Sequence, residues 1–280
     1  METSRTEAEN LTIAADWDGA CRRMVETIKR EMQRYPTYAE RSVGTGQGAG
    51  GDFTLVIDEV AEDAVFAELA ALAETGAAFY AISEERGVVE FGSHAVKVVV
   101  DPIDGSLNAK RVAQSWSLSV AVAVGEKMED VIYGYVYDFG ADEEWIARVG
   151  RGATLNGARL DPFQDGNGLE VVGLESTKPA FMTPELLARF DGEVSRIRSI
   201  GSIALTLCQV AAARYDGMLS LRACRSVDAA AAQLIAREAG AAVVYGDDEG
   251  LVAPLDLEPY KPIAAGRDAE RARFLISSLA

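Results

Sequence analysis

The chain has 280 residues, 49% of them apolar, so it can bury a large core in one domain or in two lobes. Its formal net charge of −17 argues against binding nucleic acid through nonspecific electrostatics. It has no apolar run of about 18 residues, and its first ten residues are polar and acidic, which excludes a membrane span and a secretory signal.

The first half of the chain predicts helices followed by strands. Apolar residues at helical spacing over 11–33 predict one long amphipathic helix. The Gly-rich segment 42–51 predicts a mobile loop. Its Gly46-x-Gly48-x-x-Gly51 spacing does not predict a dinucleotide site, because no strand precedes it and no helix follows it. Segment 53–57 predicts a strand that ends at Asp58, and 58–74 predicts a helix. Strands are expected at 78–82, 96–100, 117–124, 131–137 and 144–149.

The second half alternates strands and helices after a turn at 150–160. Strands are predicted at 170–174, 217–221, 242–245 and 262–265, with a further segment at 196–200. Helices are predicted at 184–190, 202–213 and 228–239, and from 268 onward. This alternation is typical of an α/β or α+β fold built from stacked layers.

The cysteines and the histidine limit the chemistry. Cys21, Cys208 and Cys224 are too few and too scattered for a disulfide framework, so we expect core thiols in a reducing, cytoplasmic compartment. The only histidine, His94, lies in a predicted polar turn and is interpreted as structural. General-base chemistry must therefore come from carboxylates or from water activated by a metal ion.

Residues 101–108 read Asp-Pro-Ile-Asp-Gly-Ser-Leu-Asn and follow the apolar run 96–100 directly. Asp101 and Asp104 would repel each other unless a cation neutralises them or one of them is protonated. Oxygen ligands on a stiff turn suit a hard divalent ion, Mg²⁺ or Mn²⁺. The backbone N–H groups of Gly105 and Ser106 could hold an anion beside that metal.

Other carboxylates recur at strand ends and helix starts. Glu84 and Glu85 follow a predicted strand, whereas Asp58 and Asp228 open predicted helices. Taken singly, Asp58 and Asp228 are explained by helix capping, because acidic residues favour helix N-termini. Their recurrence beside the Asp101–Asp104 segment favours a shared site instead.

These motifs resemble the inositol monophosphatase superfamily of Mg²⁺-dependent, lithium-sensitive phosphatases. The matches occur in the family's order from about residue 52 to residue 240. They comprise the segment Asp101–Ser106, the pair Glu84-Glu85, the segments Asp228-Ala229-Ala230 and Glu238-Ala239-Gly240, and the stretches 152–157 and 198–202. Within the superfamily, the chain looks closest to archaeal-type enzymes that act on both inositol monophosphate and fructose 1,6-bisphosphate.

The resemblance implies a single inositol monophosphatase-like domain over 1–280 with an αβαβα fold, mixed sheets and lobes of about 1–150 and 151–280. It also implies a homodimer and two or three Mg²⁺ ions, with Mn²⁺ as an alternative. Glu84, Asp101, Asp104, Asp228 and the carbonyl of Ile103 would be the metal ligands, and Gly105 and Ser106 would bind phosphate. Glu84 would also take part in catalysis, and Asp104 would also contact the substrate. Asp58 and the Ser106 hydroxyl would orient the attacking water and take its proton. The loop at 44–51 would close over the site and complete a third metal site.

The sequence departs from the family pattern where substrate specificity is decided. Ser106 replaces the usual Thr, and Val227 replaces the usual aromatic residue. Leu221 stands where animal-type enzymes carry a Glu that holds an inositol hydroxyl. With Arg222 and Arg225 beside it, this favours a substrate with a second anionic group, although both arginines could equally be surface charges. Candidates for a distal-phosphate pocket are Arg198, Arg222, Arg225, Lys110 and Arg111.

Three other functions remain open at this point. The chain could hydrolyse histidinol phosphate or adenosine 3′,5′-bisphosphate, which requires the same metal ligands and a different substrate rim. It could be a strict fructose 1,6-bisphosphatase. It could also be a non-catalytic regulatory or metal-binding protein, although the complete acidic set argues against that alternative.

Overall fold

A computed structural model describes residues 6–47, 53–161, 168–248 and 250–280. The N-terminal region contains two helices, α1 (Glu7–Ala14) and α2 (Trp17–Met32), rather than the single helix predicted over 11–33. The break has a local cause, because the Asp16 side chain accepts a hydrogen bond from the Gly19 amide at 3.0 Å and so caps α2.

A short helix, α3 (Tyr38–Arg41), leads into two antiparallel strands, β1 (Gly44–Gln47) and β2 (Phe53–Leu55). The prediction of a loop throughout 42–51 was therefore wrong at β1, where backbone pairing with β2 orders the chain. Residues 48–52 of that segment lie outside the described residues. The strand expected at 53–57 is shorter because α4 (Val56–Glu74) begins at Val56.

The larger of the two main sheets has seven strands in sequence order. It comprises β3 (Phe79–Ser83), β4 (Gly87–Asp104), β5 (Ser117–Ala123), β6 (Val131–Asp138), β7 (Glu143–Arg148), β8 (Gly152–Leu155) and β9 (Ala158–Arg159). Strand β4 pairs with β3 twice. Its first part runs in the opposite direction (Ile82 opposite Val88), and its second part runs in the same direction (Ser83 opposite Val100). The chain reverses between Gly92 and Lys97, which includes the predicted polar turn.

The second sheet has five strands in the order β11-β10-β12-β14-β13. Strands β10, β11 and β12 are mutually parallel, and β14 is antiparallel to both β12 and β13, so this sheet is mixed as expected. The elements of this half are β10 (Leu169–Glu175), α6 (Pro184–Phe190), β11 (Val194–Arg198), α7 (Ile203–Ala211), β12 (Gly217–Ser220), α8 (Ser226–Glu238), β13 (Ala242–Tyr245), β14 (Ile263–Gly266) and α9 (Ala269–Ser277). The helix α5 (Ser106–Lys110) connects β4 to β5.

The hydrophobic clusters define five layers. One cluster packs α2 and α4 on the seven-stranded sheet, a second packs α7 and α8 between the two sheets, and a third packs α6 and α9 on the five-stranded sheet. This confirms the expected αβαβα architecture. All seven residues of β5 are buried because helices cover both faces of its sheet, which accounts for its mainly apolar sequence; Ser117 and Ser119 are the polar residues in it.

Helix α8 approaches the large sheet unusually closely. A Cβ placed on Gly134 of β6 would lie 2.6 Å from the Ala231 carbonyl oxygen, so a glycine is required at that position. Small alanines on α8, including Ala231, allow the same approach from the other side. The backbone of α8 therefore packs directly against the sheet, and this fixes the position of Asp228 in its first turn.

The cysteines and the histidine occupy the places expected of them. Cys21, Cys208 and Cys224 are free and buried, which confirms them as core thiols. His94 is exposed, stacks obliquely on Tyr80 and lies 3.7 Å from Glu90. No helix in the described part of the chain is both long enough and apolar enough to cross a bilayer.

Candidate metal and phosphate site

Asp101 and Asp104 are brought to one side of β4 by a β-bulge. Asp101 lies opposite Ser119 of β5, and Asp104 lies opposite Ser117, so three residue steps on β4 match two on β5. Without the extra residue, side chains three positions apart would point to opposite faces of the sheet. The expected turn at Asp101–Asp104 is thus a bulged continuation of the strand, and both carboxylates are buried.

Each of these two carboxylates has backbone support. The Ile103 amide donates to Asp101 Oδ1 at 3.0 Å. Asp104 Oδ2 accepts hydrogen bonds from the Ser202 hydroxyl and, at 2.8 Å, from the Ala204 amide, both at the start of α7. Asp104 therefore ties the large sheet to a helix that lies between the two sheets.

Three acidic residues from three elements converge beside the bulge. Glu84 follows β3, Asp101 lies near the end of β4, and Asp228 lies in the first turn of α8. One carboxylate oxygen from each lies within 4.8 Å of the other two. Sequence reasoning placed all three among the metal ligands, and the fold brings them together.

Asp58 and Asp228 act as helix caps and also belong to the site. Asp58 Oδ2 accepts a hydrogen bond from the Leu55 amide at 3.0 Å, and Asp228 Oδ2 accepts one from the Arg225 amide at 3.1 Å. Asp58 also lines a small pocket together with Glu84, Asp101 and Ser106. The capping role and the site role therefore coexist, because each carboxylate has two oxygens.

Burial and mutual repulsion raise the pKa values of this acidic set. Desolvation first, and then neighbouring carboxylates, raise the pKa of Glu84 to about 7, that of Asp104 to about 8 and that of Asp101 well above its ordinary range. Desolvation raises the pKa of Asp58 to about 6, opposed mainly by the Leu55 amide. Such a set holds its full negative charge near neutral pH only beside a compensating positive charge; otherwise part of it is protonated.

The donor chemistry suits a hard divalent cation. The converging ligands are all carboxylate oxygens, as Mg²⁺ and Mn²⁺ prefer. In addition, Asp58 Oδ1 is buried without a hydrogen-bond partner among the described residues. An orphaned buried acceptor is costly unless a ligand or a water molecule satisfies it. These residues therefore fit a metal site with a water position beside it.

Gly105 and Ser106, the residues expected to bind phosphate, lie at the start of α5. Gly105 adopts a φ of +94°, and a Cβ there would lie 2.9 Å from the Ser115 carbonyl oxygen, so glycine is required. Because α5 begins at Ser106, its first amides have no partner within the helix. The Ser106 hydroxyl donates to the Ile103 carbonyl at 2.9 Å, and that carbonyl is the expected backbone metal ligand.

Comparison with known proteins agrees with this geometry. Residues 10–279 match the profile of the Inositol monophosphatase family. The chain belongs to this family. A fructose-1,6-bisphosphatase/inositol-1-monophosphatase of Thermococcus kodakarensis is 33% identical over 79% of this chain and 80% of its own length. A Nus factor SuhB of Vibrio cholerae is 33% identical over 72% of this chain and 74% of its own.

A solved structure of an inositol monophosphatase-fructose 1,6 bisphosphatase superposes with a TM-score of 0.82 at 26% identity. The superposition covers 95% of this chain and 100% of the chain in that structure. The family to which the chain belongs is metal-dependent, and the acidic cluster could hold metal. The family resemblance drawn from the sequence motifs is thus confirmed.

Beside Asp228, this member of the inositol monophosphatase family has a cavity of about 520 Å³ with a partly basic wall. Its lining is Ser176, Lys178, Phe181, Arg222, Ala223, Arg225, Asp228, Leu257, Glu258 and Pro259. The Arg222 guanidinium lies 4.7 Å from the centre of the Phe181 ring, which holds it over the cavity wall. The volume is typical of a pocket for a small ligand.

The remaining expected substrate residues lie elsewhere. Arg198 is exposed on the edge strand β11 and donates to the carbonyl of its neighbour Ile197. Lys110 and Arg111 lie at the end of α5, with their cationic groups over the ring of Tyr38. Leu221 is buried in the core beneath the five-stranded sheet and not on the cavity rim.

Several supporting residues were missed by sequence reasoning. Glu175 is buried and accepts hydrogen bonds from the amides of Ile200 and Gly201, and so it fixes the segment that leads to Ser202. Lys178 and Phe181 reach the cavity from the segment after β10. The local signal was the 198–202 stretch, in which sequence reasoning gave a role to Arg198 alone.

Glu62 is another buried acid that sequence reasoning missed. It accepts hydrogen bonds from the Ser83 hydroxyl at 2.8 Å and from the Arg86 amide at 3.2 Å. Because Ser83 and Arg86 flank Glu84 and Glu85, Glu62 anchors the turn that carries them. Burial raises the pKa of Glu62 from 4.5 to about 7, opposed by these hydrogen bonds.

The Glu62 carboxyl is expected to make stability fall as pH rises from about 4.5 to about 7. Over that range the unfolded chain releases a proton that the folded chain retains, which costs on the order of 3 kcal/mol once complete. Denaturant titrations in EDTA between pH 5 and pH 8 should show a shallower decline for Glu62→Gln than for the wild type. The control is Glu68→Gln on the same helix, where the acid pairs with Arg23 near the surface. Parallel curves for the wild type and both variants would contradict the assignment.

Proposed function

We propose that this protein is a Mg²⁺-dependent phosphatase of small polyol or sugar phosphates. The substrates would be inositol monophosphate, fructose 1,6-bisphosphate or both. The observation that carries the proposal is the convergence of Glu84, Asp101 and Asp228 beside the orphaned oxygen of Asp58, in a chain of this family. The name of the Thermococcus relative supports the same two substrates.

Glu84, Asp101, Asp104, Asp228 and the Ile103 carbonyl would hold two or three Mg²⁺ ions, or Mn²⁺ in their place. When bound, such ions activate a water molecule and stabilise the charge of the leaving oxygen. The third ion was expected to involve the loop at 44–51, part of which lies outside the described residues.

The side chains around the carboxylates would orient the water and the phosphate group. Asp58 Oδ2 is held by the Leu55 amide, so its other oxygen, Oδ1, is left to accept the proton of the attacking water. The Ser106 hydroxyl lines the same pocket and would help to orient that water. The Gly105 and Ser106 amides would bind the phosphate oxygens.

The basic wall of the neighbouring cavity would receive the rest of the substrate. Arg222, Arg225 and Lys178 place three cationic side chains beside Asp228. Cations in that position bind a second phosphate more strongly than they bind hydroxyl groups, so they favour a bisphosphate substrate. Contacts of Arg198 and Asp104 with the substrate remain predictions. Arg198 lies on β11 and does not line this cavity.

The test measures phosphate release from inositol 1-phosphate, fructose 1,6-bisphosphate, histidinol phosphate and adenosine 3′,5′-bisphosphate, each with Mg²⁺, with Mn²⁺ and with EDTA. Release from inositol 1-phosphate or fructose 1,6-bisphosphate, lost in EDTA, is the expected result. Release from histidinol phosphate or adenosine 3′,5′-bisphosphate alone would replace the substrate assignment. Adding Li⁺ to the same assay tests the lithium sensitivity that the family resemblance implies.

A non-catalytic regulatory role is the second candidate. It is supported by the Vibrio relative, whose name is Nus factor SuhB. The complete acidic set and the basic cavity have no evident purpose in such a role, which is why we place it second. Absence of phosphate release from all four compounds would favour it.

Arg222→Met is expected to raise KM for fructose 1,6-bisphosphate about 10-fold or more and to leave KM for inositol 1-phosphate nearly unchanged. The reason is that a charge-assisted hydrogen bond to the second phosphate, of roughly 1.5–3 kcal/mol, is lost for only one of the two substrates. The control is Arg196→Met, because Arg196 is exposed on β11 and donates to the carbonyl of Ser195. An equal change in KM for both substrates would contradict a role in recognising the second phosphate.

We also propose that the chain forms the homodimer that the family resemblance implies, and that it is cytoplasmic, as its few scattered cysteines suggest. The described surface includes exposed apolar side chains in the region of α3 and α5, among them Tyr38, Val43, Leu107 and Val112. Sedimentation velocity is expected to give twice the 29.9 kDa mass of the chain. A single species at the monomer mass would contradict the proposal.

A further inference from the structure

Arg225 lies between the carboxylate cluster and the basic cavity. Its Nη2 atom lies 2.7 Å from Glu84 Oε1 and 3.5 Å from Asp228 Oδ1, and its side chain is only 19% exposed. It also lines the cavity that contains Arg222 and Lys178. One guanidinium therefore contacts two of the three converging acids and borders the substrate cavity.

The guanidinium supplies the positive charge that the cluster requires in the absence of metal. The two acids that it contacts, Glu84 and Asp228, belong with Asp101 to the set whose oxygens lie within 4.8 Å of one another. One buried and two partly buried carboxylates at that separation repel one another unless they are neutralised. An Arg held between two of them offsets part of that repulsion without a metal ion.

A divalent cation bound by the same carboxylates would meet this guanidinium at close range. Two positive groups that share the Glu84 and Asp228 oxygens repel each other in a partly dehydrated site. The Arg225 backbone is fixed, because its amide donates to Asp228 Oδ2 at 3.1 Å. Only the side chain is able to leave, and the adjoining cavity is the open space beside it.

We infer that Arg225 is a displaceable counter-cation: it neutralises Glu84 and Asp228 in the metal-free protein and moves into the cavity when a divalent ion binds. The inference rests on the proposed metal dependence. Two consequences follow. Metal binding is weakened by competition with Arg225. Metal loading releases the Arg225 charge from Glu84 and Asp228, so that it becomes available, with Arg222 and Lys178, to an anionic group in the cavity. Metal and the second anionic group of a substrate therefore bind with positive coupling.

The test is calorimetric titration with Mn²⁺, and separately with Mg²⁺, in the absence of substrate. Arg225→Met removes the charge and keeps much of the side-chain length, and it is expected to bind the first ion at least 10-fold more tightly than the wild type. Arg222→Met is the matched control, because it lines the same cavity and stacks on Phe181. Its metal affinity is expected to equal that of the wild type.

Denaturant unfolding gives a second readout that does not depend on activity. In EDTA, Arg225→Met is expected to unfold at lower denaturant than the wild type, and saturating Mn²⁺ is expected to abolish that difference. If Arg225→Met does not fold in EDTA, Arg225→Gln, which keeps N–H donors without the charge, serves for both measurements.

The possible outcomes separate this inference from the proposed function. Equal or weaker metal binding by the Arg225 variants, or a stability loss that Mn²⁺ does not restore, would overturn the displacement of Arg225. A wild-type protein that binds no divalent ion would instead overturn the metal dependence itself.

Discussion

Replacing Asp101 by Asn is expected to lower Mg²⁺-dependent phosphate release about 10³-fold or more. Asp101 is 2% exposed and is one of three acids whose oxygens lie within 4.8 Å of one another. Asn cannot supply the anionic oxygen that Asp101 is proposed to contribute to the metal site beside Glu84 and Asp228. The loss of several kcal/mol of transition-state stabilisation corresponds to a change of that size. Steady-state phosphate release with saturating Mg²⁺ measures it.

The same substitution is expected to preserve the fold and to raise the melting temperature in EDTA. Asn is nearly the same shape as Asp, and its Oδ1 still accepts the Ile103 amide. One charge is removed from a set of buried, mutually repelling carboxylates, so the metal-free protein loses a source of instability. Circular dichroism and thermal melting in EDTA check both points.

Asp216→Asn is the matched control for Asp101→Asn. Asp216 is also a buried Asp, yet it pairs with Arg267 and accepts the Val171 amide at 2.8 Å, away from the acidic cluster. Its replacement is expected to lower the melting temperature and to keep phosphate release. Activity of Asp101→Asn near that of the wild type would end the assignment of Asp101 as a metal ligand.

The resemblance of the sequence motifs to a known family was sufficient to predict which acids converge, because the order and spacing of motifs can be read from a single chain. Asp58 and Asp228 each lie in the first turn of a helix, and Glu84 and Asp101 each lie at or beside a strand end. Apolar periodicity also placed most helices and strands within a few residues. These elements were predictable because one face or both faces of each must be buried.

The bulge in β4 could not be predicted from the same information. In a regular strand, Asp101 and Asp104 would point to opposite faces, and only the pairing with Ser119 and Ser117 shows that they do not. The break between α1 and α2 was missed for a different reason. The pattern of apolar residues continues across it, and the cap provided by Asp16 interrupts only the backbone.

The supporting contacts were missed because they join residues that are distant in sequence. Asp104 is held by Ser202 and Ala204, 98 and 100 positions away, and Glu84 meets Arg225 across 141 positions. A single sequence records which side chains exist but not which of them meet. The substrate cavity depends entirely on such contacts, so the sequence left substrate choice open.

Asp58→Asn is expected to lower kcat between about 10² and 10⁴-fold and to leave metal affinity unchanged. This range is typical for the loss of a general base. Asp58 is not one of the three converging acids, so calorimetric binding of Mn²⁺ should match that of the wild type. The amide oxygen of Asn can still accept the Leu55 amide, which then leaves the NH₂ group at the position of Asp58 Oδ1. An amide NH₂ group donates hydrogen bonds and cannot take a proton from water.

The neighbouring acid on the same helix provides the control for Asp58→Asn. Glu59 is exposed in the first turn of α4, so Glu59→Gln changes the charge of that turn without changing the pocket. It is expected to retain kcat. If Asp58→Asn weakened Mn²⁺ binding in parallel with kcat, Asp58 would be a metal ligand and not the proton acceptor. If both variants kept the wild-type kcat, the proton would have to leave by another route. A selective fall in kcat for Asp58→Asn alone is the result that its buried, unpaired oxygen predicts.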